Sequence, residues 1–210
     1  MDDPLPSPIG PQQAELIGRR VSIIVGSRDA ALRPHLMRAL GCTLSADRRQ
    51  VTVLINQRSA EQVLADLRAN GQIAVVFSEP TTHRTLQLKG RDAQVLQCDA
   101  DGEALAERHL QRFIAELGDI GLPAEVARTL LTREGGLVAL RFTVREAYDQ
   151  TPGPQAGTAL HAPQGAACTP RAAAPATIGA RRPTAARRAR PTRRWTWTTS
   201  APAWKARSPA

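Results

Sequence analysis

Aromatic residues are scarce in this chain. Its 210 residues include three Phe, three Trp and one Tyr, and all three Trp lie beyond residue 150. A core must therefore be built from aliphatic side chains. Cys42, Cys98 and Cys168 are odd in number and widely spaced, with no CxxC. That argues against a disulfide framework or a zinc site. No apolar run approaches the roughly 18 residues a membrane helix needs. The start, Met1-Asp2-Asp3-Pro4, is acidic and does not read as a secretory signal. A reducing, cytoplasmic setting is the expectation. GxSxG, GxxxxGK[ST] and GxGxxG are all absent, as is any His pair at metal-ligand spacing. No metal is expected.

Acidic residues are missing from one part of the chain. All 19 acids lie at or before Asp149, together with 18 of the 28 Lys and Arg, so the first 150 residues carry a net charge of −1. Residues 151–210 hold the other ten cations and no acid, along with nine of the 16 prolines. The basic pI of about 11 belongs to that end. From Thr158 to Ala210 the sequence is mostly Ala, Arg, Pro and Thr. It offers too little apolar surface to offset about 1–2 kcal/mol of backbone entropy per residue. Disorder is expected for 158–210, a folded domain for 16–157, and a loose Pro-rich leader for 1–15. The arginine pairs around Arg181 and Arg187 to Arg194 suit contacts to nucleic-acid phosphates. The plainer reading is an extension with the composition of a high-GC reading-frame artefact.

Within the folded part, periodicity is informative. Arg20 to Ser27 contains the β-branched run Val21 to Val25 and ends at Gly26, a first strand. Pro34 to Ser45 reads as a second and Val51 to Ile55 as a central third. A helix follows, with Ser59 as N-cap, Gln62 completing a capping box, Val63, Leu64 and Leu67 on one face, and Gly71 as the left-handed stop. Gln72 to Phe77 is a fourth strand. Thr85 to Lys89 alternates with Leu86 and Leu88 inward, and Ala93 to Cys98 continues the ladder beyond a bend at Gly90. A long helix begins near Asp101, bearing Ala106, Leu110, Phe113, Ile114 and Leu117. A short helix starts at Pro123, and Leu137 to Arg145 is the last strand. Hairpins stand where a doubly wound fold would have helices. The order therefore predicts a mainly β, α+β domain with an antiparallel sheet or barrel.

Four stretches in this order resemble the pyridoxamine 5′-phosphate oxidase-like family, the flavin-binding split barrels. They are Arg33-Pro34-His35; Ser59 followed by Leu64 to Gly71 and Ile73 to Phe77; Thr81 to Gly90; and Tyr148 to Pro154. The resemblance spans Leu16 to Gly157. It implies a six-stranded antiparallel Greek-key split barrel that forms a homodimer and holds FMN at the interface. Other members take a deazaflavin, haem or no cofactor. The implied chemistry is a flavin-dependent oxidoreductase acting on a small molecule, with no membrane association.

The residues assigned to the cofactor by this resemblance are Arg33, Arg58, Ser59, His83, Arg84 and Gln87. A dianionic phosphate needs Arg or Lys and backbone N–H donors. Arg33 and Arg84 are strand-borne candidates, or else solvated edge arginines. Arg58-Ser59 sits at a helix N-terminus, where Ser59 also serves as a simple cap. Where the family often carries Lys, this chain has Glu61. Gln87, with Thr85 and Lys89, faces outward and lines either a groove or the wet side of a sheet. His83 meets a flavin edge or is an ordinary turn residue. His109, beside Leu110, is expected at a surface or an interface.

Overall fold

Ala39 and Leu40 are neighbours in sequence but belong to different ladders. The Ala39 N–H donates to Ile23 O at 2.9 Å, and the Leu40 N–H donates to Leu54 O at 2.7 Å. The expected single strand from Pro34 to Ser45 is split here into β2 (Pro34–Arg38) and β3 (Gly41–Leu44). Each half joins its own sheet. The computed structural model describes residues 9–160. The chain divides into two units, Met1–Ala167 and Cys168–Ala210, and every described residue belongs to the first. The arginine-rich segment considered for nucleic acid, and all but 158–160 of the expected disordered tail, lie outside the described residues.

The described part is α+β, with ten strands and four helices. β1 (Ser22–Arg28), β5 (Ile73–Ser78), β6 (Thr85–Gly90), β9 (Glu146–Asp149) and β10 (Thr158–Ala159) join β2 in a six-stranded sheet, ordered β10-β9-β6-β5-β1-β2. β4 (Gln50–Asn56), β7 (Gln94–Gln97) and β8 (Leu137–Thr143) join β3 in a four-stranded sheet, ordered β3-β4-β8-β7. All pairings are antiparallel. The two antiparallel sheets share one core, an arrangement consistent with the expected split barrel. Ile23 and Val25 of the first sheet, with Val21 just before it, pack with Val51, Val53, Ile55, Leu140 and Phe142 of the second.

Helices cover this frame unequally. α2 (Glu61–Asn70) adds Val63, Leu64 and Leu67 to the shared core. α3 (Ala100–Asp119) and α4 (Ala124–Leu130) cover the far face of the four-stranded sheet, where Phe113, Leu117 and Ala127 meet Leu54, Leu137 and Ala139. That sheet is thus buried on both faces, as the near-continuous burial along β4 and β8 records. In the six-stranded sheet, β1, β5 and β6 alternate buried with half-exposed residues. Its outer face is open, which is the usual condition of an antiparallel sheet with one wet side.

Several local expectations are corrected. The leader is not loose throughout: α1 (Pro11–Ile17) forms at its end, and Ile9, Leu16 and Ile17 are buried in the core. Ser59 is not the N-cap of α2. That position falls to Ala60, with no side-chain cap. Asp99 caps α3 instead, its carboxylate accepting the Gly102 N–H at 2.9 Å. The left-handed stop at Gly71 is present, with φ 64°. β10 extends the folded part past the expected boundary at Gly157, and Leu160 packs against the core.

Candidate functional site

The open face is best read row by row, because cross-strand partners share a face. Leu36 pairs with Gly26, Gly26 with Ala74, Ala74 with Lys89, and Lys89 with Glu146. This row crosses five strands: β2, β1, β5, β6 and β9. Its two central positions are the smallest side chains available. The sheet surface therefore dips between Leu36 on one side and Lys89 and Glu146 on the other. The result is a cleft of about 470 Å³, which also reaches Arg28, Gln72 and Arg91. Small-molecule sites commonly occupy roughly 300–1,000 Å³.

Charge is concentrated at one end of the cleft. Lys89 and Arg91 face a single carboxylate, Glu146, and a third cation, Arg28, lies across the cleft on β1. Glu146 accepts the Tyr148 hydroxyl at 2.7 Å and Arg91 Nη2 at 3.3 Å, with Lys89 Nζ at 4.0 Å. The Tyr148 hydrogen bond, aided by Arg91 and Lys89 against the opposing effect of burial, holds the Glu146 carboxyl below the usual range. The same bond pushes the Tyr148 phenol up, so it stays a neutral donor. Lys89 Nζ also lies 4.4 Å from the centre of the Tyr148 ring, a cation–π contact. Arg28 donates to neutral oxygens, Gln72 Oε1 at 2.9 Å and Asp29 O at 3.3 Å. It makes no ion pair among the described residues. The adjoining row on the same face runs Ile24, Val76, Gln87, Tyr148.

Of the six residues expected to hold a cofactor, only Gln87 is on this face beside the cleft. It accepts from Gln150 Nε2 at 3.3 Å. Arg33 is exposed in the β1–β2 hairpin and pairs with Asp29 at 2.7 Å. His83 is exposed in the β5–β6 turn with φ 59°. Arg84 lines a separate recess of about 100 Å³ with Gln12, Gln13 and Asp149. Arg33 lies by the Arg28 end of β1, while Arg84 lies by the end where Ser22 meets Ser78. Six residues of strand separate those ends by about 20 Å. Arg58 and Ser59 are exposed in the β4–α2 loop, where the Arg58 side chain lies against Gly135. The three arginines therefore do not converge within one chain. Glu61 is exposed in the first turn of α2, where an acid complements the helix dipole.

Sequence reasoning missed Gly26, Arg28, Arg91 and Glu146. The one signal available was a glycine in a β-branched run. The run predicts a strand end at Gly26, whereas β1 continues through it to Arg28. His109 also differs from expectation. It is buried, stacks on Phe113 with ring centres 6.3 Å apart, and its Nε2 has no hydrogen-bond partner.

No family model matches the chain, and no curated protein does. Among solved structures it is similar to HupZ of Group A Streptococcus, at 19% identity over 71% of this chain and 99% of that one, with a TM-score of 0.44. It is similar to a protein related to general stress protein 26, of the pyridoxinephosphate oxidase family, from Clostridium acetobutylicum: 17% identity, 66% and 84% covered, TM-score 0.41. A pyridoxamine 5′-phosphate oxidase-related, FMN-binding protein from Nostoc punctiforme gives 13% identity, 70% and 87% covered, and a TM-score of 0.41. At such identities none of them assigns a ligand or an activity to this chain. Two of these three proteins carry the name of the family that the sequence resembles.

Proposed function

We propose that the cleft binds a flat aromatic cofactor carrying a phosphate, of the FMN type, and that the protein is a flavin-dependent oxidoreductase of a small molecule. The observation that carries this reading is the row Leu36–Gly26–Ala74–Lys89–Glu146. Its small, flat centre suits a ring system, and its basic end suits a phosphate. Lys89 and Arg91, with Arg28 across the cleft, replace Arg33, Arg58 and Arg84 as the proposed phosphate donors. Gln87 and Tyr148, one row away, offer polar groups to a ring edge. A bound flavin would supply two-electron transfer; the chain's own residues bind and orient it.

The open face bears Ile24, Val76 and Leu36, the last 70% exposed. We propose that a second copy covers this face and excludes water from the ring, as the family resemblance implies. A reducing, cytoplasmic location is part of the same reading. Cys42 and Cys98 are free thiols, and no described helix is long and apolar enough to cross a membrane.

The test is the visible spectrum of the purified protein, followed by fluorescence titration with FMN and with riboflavin. Lys89→Gln and Arg91→Gln should each weaken FMN by about 10- to 150-fold, since a charge-assisted hydrogen bond contributes about 1.5–3 kcal/mol. Riboflavin has no phosphate and should be indifferent. A colourless protein that ignores added FMN would end this reading, and a Soret band would redirect it to haem.

A further inference from the structure

Glu146 occupies the place that an anionic ligand would need. Its carboxylate receives the Tyr148 hydroxyl and the Arg91 guanidinium, and it sits 4.0 Å from the Lys89 ammonium. These are two of the three cations of the cleft. β9 pairs with β6 so that Glu146 lies directly opposite Lys89. The backbone thus presents this carboxylate to the cation permanently, at a high effective concentration. The side chain is still 25% exposed, so it has a way out to water.

We infer that Glu146 is a built-in stand-in for the ligand's phosphate, and that binding proceeds by exchange of one anion for the other. This inference rests on the cofactor reading above. It also narrows the ligand class. A carboxylate brings one charge and two oxygens. A phosphate monoester brings about −1.5 to −2 charges and three acceptor oxygens. Only an anion that outbids a tethered carboxylate for Lys89 and Arg91 gains by entering. The cleft therefore selects phosphate monoesters over ligands of the same shape bearing a carboxylate or no charge. Displaced, Glu146 turns to solvent, and the Tyr148 hydroxyl, still protonated, redirects its hydrogen bond to the incoming oxygen. No bond is made or broken.

The experiment is calorimetric titration of the full chain, comparing the parent with Glu146→Gln and Arg91→Gln. The probes are FMN, riboflavin and inorganic phosphate. Glutamine keeps the shape and an acceptor for Tyr148 but removes the competing charge. Thermal unfolding of each variant verifies that it is folded. Glu146→Gln should tighten FMN and inorganic phosphate about tenfold or more and leave riboflavin unchanged. Arg91→Gln should move the first two in the opposite direction. Parental affinity for both anions in Glu146→Gln overturns the inference, and so does an equal gain for riboflavin. If inorganic phosphate tightens while FMN binds neither protein, the exchange stands and the cofactor reading falls. If neither anion binds any of the three proteins, both fall.

Discussion

His35 Nδ1 lies 2.8 Å from Oδ2 of Asp66, the same oxygen that accepts the Ser27 hydroxyl at 2.7 Å. Strands β1 and β2 and helix α2 are thereby tied at one buried atom. Because both donors end on one carboxylate oxygen, no proton path links Ser27 to His35. The arrangement is a clamp and activates no nucleophile. Burial pushes the Asp66 carboxyl up, but the hydrogen bonds from His35 and Ser27 outweigh it and hold the group below the usual range. Asp66→Ala should cost about 2–4 kcal/mol in urea unfolding at pH 7, with two charge-assisted bonds lost. The contribution of Asp66 should be present above the unfolded carboxylate value and fade as pH falls below about 4.

His109 should dominate the pH dependence above that range. Burial, with Arg112 and Arg38 nearby, lowers its imidazole to about 4. In the unfolded chain it titrates near 6.5. The unfolded state therefore takes up a proton first, and stability should fall as pH drops from about 6.5 to 4. The loss attributable to this one group reaches about 3 kcal/mol. His109→Phe removes the unpaired Nε2 and keeps a ring on Phe113. It should stabilise the protein and flatten that segment of the stability–pH curve, as read by thermal unfolding across pH 4–7.5.

Filling the cleft floor should separate binding from folding. A Cβ at Gly26 would meet Leu36 Cδ2 at 3.0 Å, and Leu36 is an exposed side chain that can turn away. Gly26→Val also gains strand propensity. Thermal stability should hold or rise, while FMN and riboflavin affinity both fall by tenfold or more. Equal loss for both ligands is the signature of a blocked ring slot rather than a lost phosphate contact.

Gly90 should tolerate nothing larger, for the opposite reason. A Cβ there would fall 2.5 Å from Phe142 Cδ2 and 2.9 Å from Thr143 O. At this corner the chain leaves β6 and crosses to the other sheet. Gly90→Ala should destabilise by about 1–3 kcal/mol through overpacking. It should also weaken ligand binding, because Gly90 and Arg91 line the cleft. Equilibrium urea unfolding measures the first effect, and FMN titration below the transition measures the second.

Much of the secondary structure was legible because it obeys a simple period. Leu86 and Leu88 alternate with polar neighbours, and Val63, Leu64 and Leu67 mark one helical face. Short elements were not. α1 has seven residues in a Pro-rich leader, and β9 has four. Neither is long enough to display a period. The division between Arg38 and Gly41 was hidden as well, because a chain that changes sheets keeps its extended backbone. The cleft was least accessible of all. Its row is drawn from positions 26, 36, 74, 89 and 146, brought together by the register of four separate pairings. Register across strands so distant in sequence follows from tertiary packing and is not encoded in any local window. The phosphate residues suggested by resemblance are local motifs instead, so Arg33 and Arg84 fall at opposite ends of the six-stranded sheet and Arg58 lies in the β4–α2 loop.

The two-residue strand β10 matters beyond its length. It lies along the outer edge of β9, with Thr158 opposite Asp149 and Ala159 opposite Tyr148, and the Leu160 N–H donates to Ala147 O at 2.8 Å. A shortened protein ending at Gly157 would strip that edge. The bare N–H and C=O groups of β9 would then offer a template for another chain to pair with. Such a protein should self-associate through the very strand that carries Glu146 and Tyr148, imitating the proposed dimer in a sizing column while blocking the cleft. Cutting after Leu160 or beyond keeps the seam closed.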